Sequence, residues 1–279
     1  MLKYTVKDYG WVAHIDENIL DLNQDHVMEI CNLLYKHHVI VFRNQNLKQE
    51  EQIKFCSMFG DINNVYGHNE GSKHISYENG IIRVTGELNE HGKEGLFGHA
   101  HTLDWHTHQP STYDRFPFIW MYTHQGSKGS KTSWMNMRKA YEDLDPNTKT
   151  EIENIKVICG YEKGRFSTTE FFKESIYHDR PINIIQKNSR GDKGLYLPYL
   201  QIFGVDEETY DKNEWKFLFD ELVDHMTQDK YIFHHDWEDG DVIISEQWHT
   251  LHKRWEFKDI KNRMLHRIAF NDLKVGNYE

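Results

Sequence analysis

The segment Gly240-Asp241-Val242-Ile243-Ile244-Ser245-Glu246-Gln247-Trp248-His249-Thr250-Leu251-His252 carries the reading of the fold. Its first half is short, apolar and β-branched, which predicts a buried strand over 241–245. Its second half is polar and ends on a histidine. A second strand is predicted over 263–271, where Met264, Leu265 and Ile268 follow Arg263. Successive side chains of a strand point to opposite faces, so Arg263, Leu265 and Arg267 share one face and His266 takes the other. An Arg turned inward among apolar neighbours needs an anion. The plain alternative is a surface ion pair, worth about 0–1 kcal/mol.

Nearer the N-terminus, residues 25–34 place apolar side chains at helical spacing, with Asp21 or Asn23 as the cap. Val39-Ile40-Val41-Phe42 predicts another buried strand, and 48–59 an amphipathic helix stopped by Gly60. A strand is expected over 118–122, and helices over 137–144 and 147–155. Residues 62–104 are polar and glycine-containing apart from Ile81-Ile82-Arg83-Val84, which suggests a lid or binding loop. Five prolines and no Gly/Ser-rich linker leave residues 1–279 as one domain. Strands in the second half, with helices before and between them, suit a mainly β fold: a sandwich or jelly roll with helical insertions.

Composition narrows the function. A net charge of −11 with scattered positive residues does not suit a phosphate-backbone binder, so no nucleic-acid partner is expected. No apolar run reaches membrane-spanning length, and MLKYTVKDYGWVAHID lacks the core of a signal peptide. The expectation is a cytoplasmic protein with no membrane partner, either monomeric or a homo-oligomer, acting on a small molecule. Three widely spaced cysteines, Cys31, Cys56 and Cys159, argue against a disulfide framework or a thiolate zinc site.

Nineteen histidines are many for 279 residues, and four of them crowd into Gly98-His99-Ala100-His101-Thr102-Leu103-Asp104-Trp105-His106-Thr107-His108-Gln109-Pro110. His106 and His108 are two apart, so an extended chain turns both to one face, where they can grip one metal. His252 is the candidate third ligand. For an isolated H-x-H pair, a surface cluster or a structural core histidine is the commoner outcome.

The flanks add a resemblance. Trp105-His106-Thr107-His108 resembles the W-H-T-D motif of the taurine dioxygenase family, whose His and Asp begin a 2-His-1-carboxylate iron site. Thr250-Leu251-His252-Lys253-Arg254 is similar to the family's T-L-H-R block, which carries the third ligand. Arg263-Met264-Leu265-His266-Arg267 is similar to its R-M-L-H-R block. Lys131-Thr132-Ser133-Trp134, Val39-Ile40-Val41-Phe42-Arg43-Asn44-Gln45 and Phe59-Gly60-Asp61-Ile62 match further family signatures. The matches run in order from about residue 10 to about residue 272.

The resemblance implies a double-stranded β-helix core and an iron(II) oxygenase that uses 2-oxoglutarate and O2, with hydroxylation as the usual outcome. It implies His106, His108 and His252 as metal ligands. Arg263, eleven residues after His252, and Thr132 would hold the oxoglutarate carboxylate. Arg267, Tyr66, His68 and Asn69 would face a small polar or anionic substrate, with Phe97 near them. Residues 161–172 and Asp179-Arg180-Pro181 are candidates for a second wall.

The chain departs from the family at His108, which stands where the family has Asp. Three readings stay open: a working three-histidine iron site, a halogenase-like variant, and a binding pseudoenzyme on the same fold. A zinc hydrolase is a further rival, but it has no use for Arg263 or Thr132. Asp104, two residues before His106, is read as a loop residue that could supply a carboxylate, with Glu246 the weaker candidate.

Overall fold

The computed structural model describes residues 1–63, 77–78, 80–87, 100–108, 116–161, 176–177 and 180–272. Its frame is two facing sheets. The larger has eight strands in the order Tyr4–Lys7, Val12–Ile15, Val39–Phe42, Val242–Glu246, Phe118–Gln125, Met264–Phe270, Ile81–Val84 and Tyr77–Glu78. The smaller has four, in the order Ile232–Asp236, Lys131–Asn136, Thr250–Arg254 and Leu103–His106. Nearly all pairing in the two is antiparallel. The exception is Val12–Ile15 beside Val39–Phe42, which run parallel. The helix Gln24–His37 makes the crossover that such a pair requires.

The large sheet is covered on both faces, which explains why its central strands are apolar throughout. Ile243 pairs with Val41 on one side and Met121 on the other, and all three point into the space between the sheets, beside Trp134 and Trp237. Their neighbours Ile244, Ile40 and Trp120 point the opposite way and pack under the helices Gln24–His37 and Gln49–Ser57. A third cluster backs the small sheet. There Trp105, Met135 and Leu251 meet Trp215, Leu218 and Leu222 of the helix Lys212–Met226. This is the jelly-roll arrangement the sequence predicts. The tight approach into strand Val242–Glu246 requires Gly240: at φ +85°, a Cβ there would lie 2.6 Å from the Gln45 carbonyl oxygen.

Several boundaries shift. Asn23 caps the first helix, accepting from the backbone N–H of Asp25 and His26. The strand that begins at Phe118 runs on to Gln125. The expected helices over 137–144 and 147–155 are Met137–Glu142 and Pro146–Glu151, the second closed by a 3-10 turn at Ile152–Asn154. Ile81–Val84, read as an apolar patch in a long loop, is a strand of the large sheet beside Met264–Phe270. The rest of the expected lid falls largely outside the described residues. Among the described residues no helix is long and apolar enough to cross a membrane.

Candidate metal centre

His106 ends strand Leu103–His106, and the antiparallel register sets it directly opposite His252 of Thr250–Arg254. His108 lies two residues further along. The ring centroids are 4.0 Å apart for His106 and His252, 4.5 Å for His108 and His252, and 6.3 Å for His106 and His108. Two glutamines fix the chain between the pair. Gln201 accepts from the Thr107 N–H (2.8 Å) and donates to the Thr107 carbonyl (2.9 Å). The Gln247 side-chain oxygen accepts from the His108 N–H (3.2 Å). Neither is legible as a site residue from sequence: Gln201 lies outside every motif, and Gln247, inside the 240–252 segment, acts through a contact with His108 that only the fold brings about.

On the next strand Thr132 pairs with Arg254, which brings its hydroxyl to the same pocket. From the facing sheet come Leu265 and Arg267, with Arg263 just before their strand, while His266 turns away to Gln52 (3.2 Å). The pocket takes in about 460 Å³ of non-protein space, part of it open to solvent. Three histidines, three arginines and Thr132 line it, and no described lining residue is acidic.

The tautomers are legible from the partners. His106 Nδ1 donates to the Asp104 carbonyl at 2.6 Å, which leaves Nε2 as a lone pair. Arg267 Nη1 lies 2.8 Å from His108 Nδ1, and a guanidinium can only donate, so Nδ1 is the acceptor. His108 Nε2 is buried without a hydrogen-bond partner. Burial is the main reason the three rings stay neutral: His106 is pushed down to about 4, and His108 and His252 lie well below the usual histidine range. Neutral imidazole is the form that binds metal.

Arg263 is only 2% exposed, and its Nε and Nη1 have no hydrogen-bond partner. Burial, with Arg254 nearby, lowers it to about 9, so it remains cationic at neutral pH. Thr132 Oγ1 accepts from Trp237 Nε1 at 2.9 Å, which leaves the hydroxyl hydrogen for an incoming acceptor. A buried cation beside a free hydroxyl donor is a ready receiver for a carboxylate.

The other expected donors fall elsewhere. Asp104 lies in a strand, not a loop, and its carboxylate accepts from Tyr199 (3.2 Å) and pairs with Lys253 (3.0 Å), away from the pocket. Glu246 also lies outside it. Tyr66, His68, Asn69 and Phe97 lie outside the described residues, as do most of 161–172 and Asp179. Among the described residues, one trio of His, Cys, Asp or Glu side chains brings a donor atom from each within 4.8 Å of the others. It is not the pocket trio but His38, Glu246 and His249.

The chain matches the family model described as "Taurine catabolism dioxygenase TauD, TfdA family" over residues 8–269, and it belongs to that family. It is 24% identical to the alpha-ketoglutarate-dependent 2,4-dichlorophenoxyacetate dioxygenase of Burkholderia sp. (strain RASC), over 93% of this chain and 91% of that protein. It is likewise 24% identical to pentalenolactone F synthase of Streptomyces arenae, with the same shares covered. The crystal structure of AAD-2 in complex with Mn(II) and N-oxalylglycine superposes with a TM-score of 0.78 at 19% identity, covering 98% of this chain and 99% of that one. The chain is thus an oxidoreductase of the iron(II)-, 2-oxoglutarate- and O2-dependent class, with a jelly-roll fold.

Proposed function

We propose that this protein oxidises a small anionic substrate, most simply by hydroxylation, at an iron held by His106, His108 and His252. The observation that carries the reading is Arg263: a buried guanidinium with two unpartnered nitrogens, in a pocket with no acidic lining residue among those described. Leaving such a charge unpaired is costly, so the pocket is built for an anion. Arg263 would take the distal carboxylate of 2-oxoglutarate in a forked contact, and the Thr132 hydroxyl would donate to the same group. Bound iron would couple the O2-dependent conversion of 2-oxoglutarate to succinate and CO2 with oxidation of the substrate.

Arg267 has a second task in this reading. While it donates to His108 Nδ1, a neutral His108 carries its hydrogen on Nε2 and has no lone pair to give there. An anionic substrate that draws Arg267 away lets the hydrogen move to Nδ1 and frees Nε2 as a ligand. His108 would then complete the iron site when substrate is present. Support for an anionic substrate comes from Arg267 itself and from relatives named for 2,4-dichlorophenoxyacetate and (S)-phenoxypropionate. Tyr66, His68 and Asn69 remain proposed substrate contacts, and residues around 62–104 the proposed lid.

The test is succinate release from 2-oxoglutarate under air with iron(II) and ascorbate, across a panel of aryloxy and aliphatic carboxylates and sulfonates. Substrate-stimulated succinate that disappears in Arg263→Ala is the expected result. An iron-loaded protein that never turns over 2-oxoglutarate would leave the binding pseudoenzyme as the better reading.

A further inference from the structure

Away from the arginine-lined pocket, three other buried side chains converge. His38 follows the helix Gln24–His37, Glu246 ends strand Val242–Glu246, and His249 sits in the turn before Thr250–Arg254. They are 2%, 0% and 0% exposed. Glu246 Oε2 lies 3.5 Å from His38 Nδ1 and 3.7 Å from His249 Nδ1. Both separations exceed the roughly 2.7–3.2 Å of an N–H···O hydrogen bond. Neither Nδ1 has a hydrogen-bond partner, and neither has His249 Nε2. Bonds of about 2.0–2.2 Å to zinc set the edge of a ligand tetrahedron at roughly 3.3–3.5 Å, close to the spacing found here. Two imidazoles and one carboxylate are also a donor set that first-row divalent cations accept.

The surroundings fix these groups in place. Both oxygens of Glu246 are anchored, Oε1 accepting from the Trp248 N–H (2.8 Å) and Oε2 from the His249 N–H (3.0 Å). The His249 ring lies against bare backbone: a Cβ on Gly194 would be 2.3 Å from His249 Cδ2. His38 has φ +62°, a left-handed conformation in which glycine would be at ease and a side chain is strained. Its carbonyl accepts from the Glu246 N–H at 2.8 Å, which ties the two backbones together. A strained residue kept where glycine fits better points to a use for its side chain.

We propose that His38, Glu246 and His249 form a second, structural metal site that takes zinc or a first-row divalent cation of similar preference. It clamps the end of the first long helix to the turn that leads into the His252 strand. It makes no use of the pocket arginines and stands independently of the function proposed above.

The experiment strips the full-length protein with a chelator, dialyses it against Zn(II), and counts bound metal by mass spectrometry. Wild type is compared with His106→Ala/His252→Ala, with His38→Gly and with the triple combination. His38→Gly removes the ligand while suiting the backbone conformation, so the fold should persist; His249→Ala is the second variant. The expected counts are two zinc ions in wild type, one in the pocket variant, one in His38→Gly and none in the combination. Zinc should also raise the melting temperature of the pocket variant but not of the combination. A single zinc in wild type that His38→Gly abolishes would count against the pocket ligands and leave this site standing. Zinc content unchanged in both His38→Gly and His249→Ala overturns it.

Discussion

Arg267 donates from Nη1 to Nδ1 of His108 at 2.8 Å, so a guanidinium occupies one of the two ring nitrogens of a proposed metal ligand. In the proposed site, metal and arginine would compete for the proton arrangement of that ring. Arg267→Gln should raise metal affinity in the absence of substrate by about tenfold, the worth of one hydrogen bond from a charged donor. Equilibrium dialysis with Mn(II) checks this. An unchanged affinity would mean that the contact does not hold His108 back.

His108→Asp should raise metal affinity further, because an anionic donor replaces a neutral one and Arg267 then becomes the ion-pair partner of the new carboxylate. Metal retention through gel filtration is the readout. No gain over wild type would remove His108 from the ligand set.

Arg263→Met should act in opposite directions on binding and on stability. Truncating one partner of a buried charge contact costs about 2–5 kcal/mol, so 2-oxoglutarate affinity should fall at least about thirtyfold. The ligand-free protein, relieved of an unpaired buried cation, should melt at or above the wild-type temperature. Calorimetric titration and thermal denaturation of the same preparation read both. A large loss of melting temperature would show instead that Arg263 is held by contacts within the protein.

Thr132→Val removes both the proposed donor to 2-oxoglutarate and the acceptor of Trp237 Nε1. The first loss should weaken 2-oxoglutarate by about 1 kcal/mol, and the second should destabilise the fold by about 1–3 kcal/mol through an orphaned indole N–H. Thr132→Ser keeps the hydroxyl and should restore most of both. If Ser and Val behave alike, the hydroxyl has no part in either.

His266 gives the pH dependence. Burial, then His124 and Arg83, hold it down to about 4 in the folded protein. Its folded pKa lies below its unfolded value of about 6.5, so its contribution to stability is complete above that pH. The contribution is lost as pH falls from about 6.5 to about 4. The urea midpoint of wild type should drop across that window, and less steeply in His266→Gln. Parallel profiles would assign the acid sensitivity to other buried histidines, among them His38 and His249.

Strands whose pattern is local can be read directly from the amino acids. Val39–Phe42 matches its expectation residue for residue, and Leu265 and Arg267 face the pocket while His266 faces away, because side chains alternate along a pleated strand; Arg263 precedes the strand, beyond a register shift between Met264 and Leu265, and still lines the pocket. The nearness of His106 to His108 was equally legible. The helix Lys212–Met226 was not picked out, although Trp215, Leu218, Leu222 and Met226 keep helical spacing along its buried face.

Which distant groups meet follows from the assembled fold. It set His252 opposite His106 by strand register, turned Asp104 toward Lys253 and Tyr199, and laid Arg267 against His108. It also gathered His38, Glu246 and His249 from a helix end, a strand end and a turn. Side-chain periodicity is a property of a few consecutive residues and is written along the chain. Contact between elements far apart in sequence depends on how whole sheets register and stack, which no local stretch encodes.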